Sequence, residues 1–312
     1  MTATLPPGTA AHESATRKAP VDRQALSTRL LGSAAKKSYD PVVDIDWDAP
    51  IPEHLYGLSP EWSSLYGTEL WEGLTEEQRV TLTIHEYCSI SGVGIWFECL
   101  LMQLVLRDIY GDDPAQPHVQ WALTEIADEC RHSVMFARTA QTFGAPSYQP
   151  PKRILRLGKA FAAKGDGPAA YAAILVAEEI LDTWQREVMK DERVQPVTRM
   201  VARIHVLEEA RHMTFARDEV RRQVADLSGL ALLKQQVLTA QTCFMVARSL
   251  VNPEVYRSVG IDPRVGRRAA LGNPHYRATM QWMGEKPLAF LRENRLLPAH
   301  QERTWRGALL LG

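Results

Sequence analysis

Six residues repeat at one spacing. Glu98 stands 31 residues before Glu129-Cys-Arg-His132, and Glu178 stands 31 residues before Glu209-Ala-Arg-His212; each member of the first set lies 80 residues from its counterpart in the second. On an α-helix, residues i and i+3 are neighbours on one face, so the Glu and His of each Glu-x-x-His motif can grip one ion together. Two helix pairs, each offering Glu on one helix and Glu-x-x-His on the next, form the ligand plan of carboxylate-bridged dimetal bundles. Charge supports the same reading. Glu98 sits in the apolar run Val93–Leu106, and Glu178 directly follows Ala169–Ala177. An unpaired buried carboxylate is very costly, and two divalent cations are the simplest way to neutralise four of them. Oxygen and imidazole donors without thiolate suit iron, with manganese possible, better than structural zinc.

One member breaks the repeat. His205 precedes Glu209 by four and His212 by seven, which puts all three on one helical stripe; its counterpart in the first set is Glu125. His205 is therefore expected to bind the ion held by Glu209 and His212, with Glu129 and His132 mainly on the other and two of the four glutamates bridging. Glu125 is not expected to be a ligand. Glu179 competes with Glu178, but the spacing selects Glu178, and Glu179 points about 100° away round the helix. The motifs are matched outward as well: Asp128-Glu-Cys-Arg-His132 parallels Glu208-Glu-Ala-Arg-His212. Acids at such positions can hold the free imidazole nitrogen of a ligand on the facing helix, Asp128 with His212 and Glu208 with His132, and Arg131 and Arg211 can pair with those acids. Plain surface ion pairs are the simpler alternative for these four.

These residues need long helices to present them. Thr75-Glu-Glu-Gln78 has the form of a capping box and opens a helical pattern running to about Ile109. Gly111-Asp-Asp-Pro114 breaks it. Further helices are predicted at about Gln116–Phe143, Gly167–Lys190 and Gln195–Leu227, with Pro150 and Pro151 marking a connection. Others are expected at Leu26–Lys37, Ala231–Asn252, Pro263–Leu271, Pro274–Met283 and Pro287–Asn294, and an extended stretch at Ser38–Leu55. Gly92 and Gly94 lie inside a helix, so they read as close packing and not as part of a nucleotide-binding fingerprint. The fold expected is all-α: a four-helix bundle over about 75–227 carrying the dimetal site, with extra N- and C-terminal helices packed around it. Residues 1–22 read as a disordered tail, and 23–312 as one helical domain.

Bulk properties exclude other classes. The net charge is −1, so there is no basic excess for nucleic acid or an anionic membrane. The clusters Arg153–Arg156 and Arg264–Arg268 read as solvated faces. The four cysteines, Cys88, Cys99, Cys130 and Cys243, form no CxxC and read as small core residues of a reducing, cytoplasmic protein. His85 and Glu86 have no partners at metal spacing. No flavin, haem or nicotinamide motif is visible, so electrons must come from an external donor such as a ferredoxin or a reductase.

The full set Glu98, Glu129-x-x-His132, Glu178 and His205-x-x-x-Glu209-x-x-His212 resembles the p-aminobenzoate N-oxygenase (AurF-like) diiron oxygenases, whose hallmark is the added histidine; the motifs cover roughly Glu76 to Arg222. That resemblance implies a ferritin-like bundle, two irons, a peroxo intermediate, O2 as co-substrate, oxygenation of an amine (often an arylamine) in secondary metabolism, and a homodimer. A C–H hydroxylase or an acyl-carrier desaturase shares the ligand plan. An iron-storage ferritin would need only the four-helix unit, and a ribonucleotide reductase small subunit would need a tyrosine where Phe136 stands. The substrate is not legible; if it carries a carboxylate, Arg267, Arg268 and Arg277 are candidate anchors, with a solvated face the simpler alternative for each.

Overall fold

The computed structural model describes residues 18–146 and 148–312, and among these the chain is helical apart from one isolated bridge between Tyr56 and Val194. Twelve α-helices are present among the described residues: α1 Arg23–Lys36, α2 Pro41–Asp44, α3 Glu69–Glu72, α4 Glu76–Ile109, α5 Pro117–Thr142, α6 Lys152–Lys164, α7 Pro168–Val188, α8 Pro196–Val224, α9 Gly229–Ser249, α10 Pro263–Gly272, α11 Pro274–Glu293 and α12 Glu302–Gly307. Their starts follow local chemistry. Thr75 and Gln78 close a reciprocal capping box on α4. Proline, which lacks the N–H that a first turn cannot use, opens α5, α7, α8, α10 and α11.

Short loops make α4/α5 and α7/α8 antiparallel pairs, and the pairs meet through α5 against α8 and α4 against α7. A long crossover containing α6 joins them. Two antiparallel pairs with one long crossover constitute the ferritin-like arrangement. α1 lies across α5 and α8, while α9 and α11 cover α7. α7 is thereby enclosed, and its side chains from Ala169 to Asp182 are all buried. α4 is long and apolar enough to cross a bilayer, but most of its apolar window is buried in this core.

Several expectations are corrected. Val42 and Val43 lie in the helical turn α2, started by Asp40, whose side chain accepts from Val42 N. The connection after Pro151 contains α6, an amphipathic helix with Gly158 and Phe161 turned inward. Pro287 does not divide two helices; it lies buried within α11. Cys88 and Cys243 are buried, but Cys99 and Cys130 are exposed on the outer faces of α4 and α5, where Cys130 Sγ reaches Met102 Sδ. Residues 1–17 of the expected tail lie outside the described residues. Val21 N, beyond them, donates to Asp218 Oδ1 at 2.9 Å.

Candidate metal centre

All seven residues of the repeat and its exception converge in the bundle's centre. Glu98 comes from α4, Glu129 and His132 from α5, Glu178 from α7, and His205, Glu209 and His212 from α8; none is more than 1% exposed. Three groups of ligand atoms lie close enough to hold an ion: Glu98, His132 and His205; Glu129, Glu209 and His212; and Glu178, His205 and Glu209. His132 Nδ1 is 3.0 Å from Glu129 Oε2 and 3.2 Å from Glu209 Oε1, while His212 Nδ1 is 2.9 Å from Glu129 Oε1 and 3.0 Å from Glu209 Oε1. Glu129 and Glu209 thus each face both imidazoles. Glu98 and Glu178 lie to the side of His205, whose Nε2 is 3.8 Å from each of them and from Glu209.

His205 shares one group of ligand atoms with Glu178 and Glu209 and another with Glu98 and His132, while Glu209 also groups with His212 and Glu129. Seven residues along one stripe span about 10 Å of helical rise, so His205 and His212 stand at different levels of the bundle.

These atoms fit a metal pair. Glu98 Oε2, both oxygens of Glu178, Glu209 Oε2 and His205 Nε2 are buried without a hydrogen-bond partner. Buried polar atoms are normally satisfied, and this many orphans pointing into one centre mark the place of a cation. The charges respond accordingly. Burial, then the carboxylates of Glu129, Glu178 and Glu209, hold the Glu98 carboxyl far above its ordinary range. Burial, with Glu209 and Glu129, does the same to Glu178. Burial and Glu209 oppose ionisation of Glu129, but His212 and His132 outweigh them and bring it to about 2. Burial works against charge on His132 and His212 too, yet the surrounding carboxylates hold both imidazoles well above the usual range. His205, with no acid closer than 3.8 Å, is lowered by burial to about 4 and stays neutral.

An outer layer aims the imidazoles. Glu208 Oε2 lies 2.9 Å from His132 Nε2, and Asp128 Oδ2 lies 3.2 Å from His212 Nε2. Arg131 pairs with Asp128. Arg211 reaches both acids at 3.6 Å and also donates to Lys37 O. Tyr39 N donates to Glu208 Oε1 at 3.0 Å. The segment after α1 therefore closes this layer, a role that no motif announces. Gln185 is a second residue without a sequence signal: its Oε1 accepts from His205 Nδ1 at 2.7 Å, which leaves Nε2 free to face the centre. Glu179 turns away from the site into a two-pronged pair with Arg217. Glu125 is buried with no hydrogen-bond partner on Oε2, and burial, followed by the neighbouring carboxylates against His212, raises it to about 8. His85 and Glu86 have other duties: His85 Nδ1 meets Tyr148 OH, and Glu86 accepts from Ser64. Arg267 lines a cleft, whereas Arg268 and Arg277 are exposed.

A helical bundle that buries four carboxylates and three imidazoles around orphaned ligand atoms is a dimetal centre of the oxygen-dependent oxidase class. The family of p-aminobenzoate N-oxygenase AurF matches residues 20–295, and the chain belongs to that family. Uncharacterized proteins of Mycobacterium tuberculosis (strain ATCC 25618 / H37Rv) and Mycobacterium bovis (strain ATCC BAA-935 / AF2122/97) are each 25% identical over 263 residues, 81% of this chain and 76% of theirs. Among solved structures, an R2-like ligand-binding oxidase with an aerobically reconstituted Mn/Fe cofactor overlays 88% of this chain and 92% of its own at 14% identity and a TM-score of 0.45. A mutant of that oxidase with a non-activated Mn/Mn cofactor does so over 88% and 93% at 14% identity and 0.47. That distance is too great for any residue of theirs to be carried across.

Proposed function

We propose that this chain is a diiron N-oxygenase that places one atom of dioxygen on the amine nitrogen of a small, arylamine-type substrate in secondary metabolism. The observation that carries the reading is His205: a neutral third imidazole, held by Gln185, with its Nε2 directed at Glu98, Glu178 and Glu209. It distinguishes this centre from the symmetric four-glutamate, two-histidine plan, and it sits in a family named for an N-oxygenase.

When bound, the two irons supply dioxygen activation and the electron traffic. The protein does the rest. Glu98, Glu129, Glu178 and Glu209 would neutralise the ions, and His132, His205 and His212 would complete the donor set. Asp128 and Glu208 hold the two Nε2 protons, which fixes which nitrogen faces the centre. Complete burial excludes water. Converting an amine to a hydroxylamine with O2 also yields one water and consumes two electrons and two protons. We assign the electrons to an external ferredoxin or reductase. A homodimer in the cytoplasm, with residues 23–312 acting as one domain, completes the proposal.

The test is to load the protein anaerobically with ferrous iron, then add O2, reductant and a panel of arylamines, with products read by mass spectrometry. Two irons per chain and N-hydroxylated or nitro products are expected. Oxygen on carbon, or a new double bond, would reassign the chain as a hydroxylase or desaturase. Metal binding that survives joint loss of His132 and His212 would remove the centre itself.

A further inference from the structure

Two arginines that the metal centre does not use face one cleft. Arg248 of α9 and Arg267 of α10 line a cavity of about 320 Å³ between the start of α6 and the end of α9, with Arg153 also at the cleft and Ile154, Phe244 and Met245 as walls. Deeper in, the same two arginines share a recess with Ser64, Tyr256 and Tyr276. Both are half-buried, while Arg153 is exposed. Ion pairs nearby, Arg257 with Glu254 and Arg306 with Glu302, involve none of the three. Arg248 donates to Gly307 O at 3.2 Å. Burial, then the like charge of Arg267 and that of Arg277, weaken its hold on its proton. The acid facing Tyr256 and Tyr276 is Glu86: its Oε1 accepts from Ser64 N at 2.9 Å and from Ser64 Oγ, its Oε2 has no hydrogen-bond partner, and burial raises it to about 7, which favours its neutral form. Two half-buried guanidinium groups thus face a cavity without a matching counter-charge, an arrangement a bound anion relieves.

We propose that this cleft binds the anionic end, carboxylate or phosphate, of a small molecule whose apolar body lies against Phe244 and Ile154. The planar fork of Arg matches either oxyanion two-pronged, and the tyrosine hydroxyls of the recess are further donors. The inner end is apolar. Val251 and Tyr276, which line the recess, also line a gap with Ile180, Leu181 and Trp184, on the stretch of α7 between Glu178 and Gln185. Identifying that ligand with the oxygenation substrate rests on the function proposed above; the anion site does not.

The experiment is calorimetric titration of the anaerobic, iron-loaded protein with benzoate, phenyl phosphate, inorganic phosphate and the neutral isostere benzamide. Benzoate or phenyl phosphate should bind about tenfold or more tightly than benzamide, and Arg248→Gln and Arg267→Gln should each remove about that factor at unchanged iron content. Arg268→Gln, on the exposed neighbour, should change nothing. Whichever of the two aromatic acids binds more tightly identifies the oxyanion. Benzamide binding equally well, insensitivity to both glutamine variants, or no saturable binding of either acid below about 10 mM would overturn the proposal. Inorganic phosphate binding as tightly as phenyl phosphate would overturn the assigned apolar body. Binding is read without turnover, so a failure to oxygenate arylamines with binding intact would count against the proposed function alone.

Discussion

Gln185 decides which nitrogen of His205 faces the centre. Its Oε1 takes the Nδ1 proton at 2.7 Å, and both side chains are buried, so no water can substitute. Gln185→Leu removes that acceptor, strands the proton and frees the ring to adopt the other tautomer. Loss of an orienting partner behind a ligand commonly costs 10–100-fold in metal affinity, and about that loss is expected here, read by competition with a chelator, together with a changed ligand-field spectrum. Gln185→Glu, which keeps an acceptor, should retain the affinity; a Leu variant that binds iron as tightly as the parent would make Gln185 a bystander. Glu178 and Glu179 offer a sharper contrast, because both are buried acids on adjacent positions. Glu178→Gln should lower the iron content toward one per chain. Glu179→Gln should leave the iron content alone and cost about 1–3 kcal/mol of stability, since it weakens the pair with Arg217. The 80-residue repeat makes six of the seven central residues legible and separates these two glutamates. It is silent on Gln185, whose counterpart is Val105, because a lone glutamine on an apolar helix carries no spacing signature.

Helices carry the site, and their mutual approach is set by small residues. A Cβ on Gly92 of α4 would press into the backbone carbonyl of Tyr148, which cannot swing aside as a side chain would. Alanine at this position gains about 1 kcal/mol of helix propensity but overpacks a backbone contact, a cost of about 1–3 kcal/mol. Gly92→Ala should therefore lower the melting temperature, while Gly32→Ala on α1, with nothing within 4 Å of the added methyl, should raise it. Equal and positive shifts at both sites would show that α4 is not tightly seated there. The four ligand-bearing helices are readable because long apolar patterns, a capping box and N-terminal prolines all agree. α6 is hidden behind Pro150 and Pro151, which read as a connection although Pro151 serves as the helix N-cap. α11 reads as two helices because a proline normally ends one. Here the chain continues through Pro287, held by buried neighbours Met283, Leu288 and Leu291. Tertiary packing overrules the local signal in that helix.

Across the whole molecule, folding and metal binding compete for the same protons. In the metal-free protein, Glu98 and Glu178 are held above their ordinary 4.5 and remain protonated, while His132 and His212 are held above 6.5 and remain charged; Glu129 and Glu209 are pushed down and ionised. Two imidazolium charges then face the carboxylates of Glu129 and Glu209. Two divalent ions can enter only if both imidazoles and both neutral carboxyls give up their protons, so about four protons should be released per chain on full loading near neutral pH. The same shifts set the pH dependence of stability. Groups whose folded pKa is raised stabilise the fold below their unfolded pKa, and that contribution is lost as pH rises: above 4.5 for Glu98 and Glu178, and above 6.5 for His132 and His212. Glu129 and Glu209, whose values are lowered, act the other way and stabilise above 4.5, failing as pH falls toward about 2 for Glu129. The chelated protein should therefore be most stable on the acid side of neutrality and lose melting temperature steadily above about pH 6.5. The loaded protein, with its imidazoles committed to metal, should not. The gap between the two melting curves should widen with pH, and anaerobic ferrous titration in a weakly buffered indicator should count the protons directly. Release of one proton or none, with parallel melting curves, would mean that these carboxylates and imidazoles do not bind the ions.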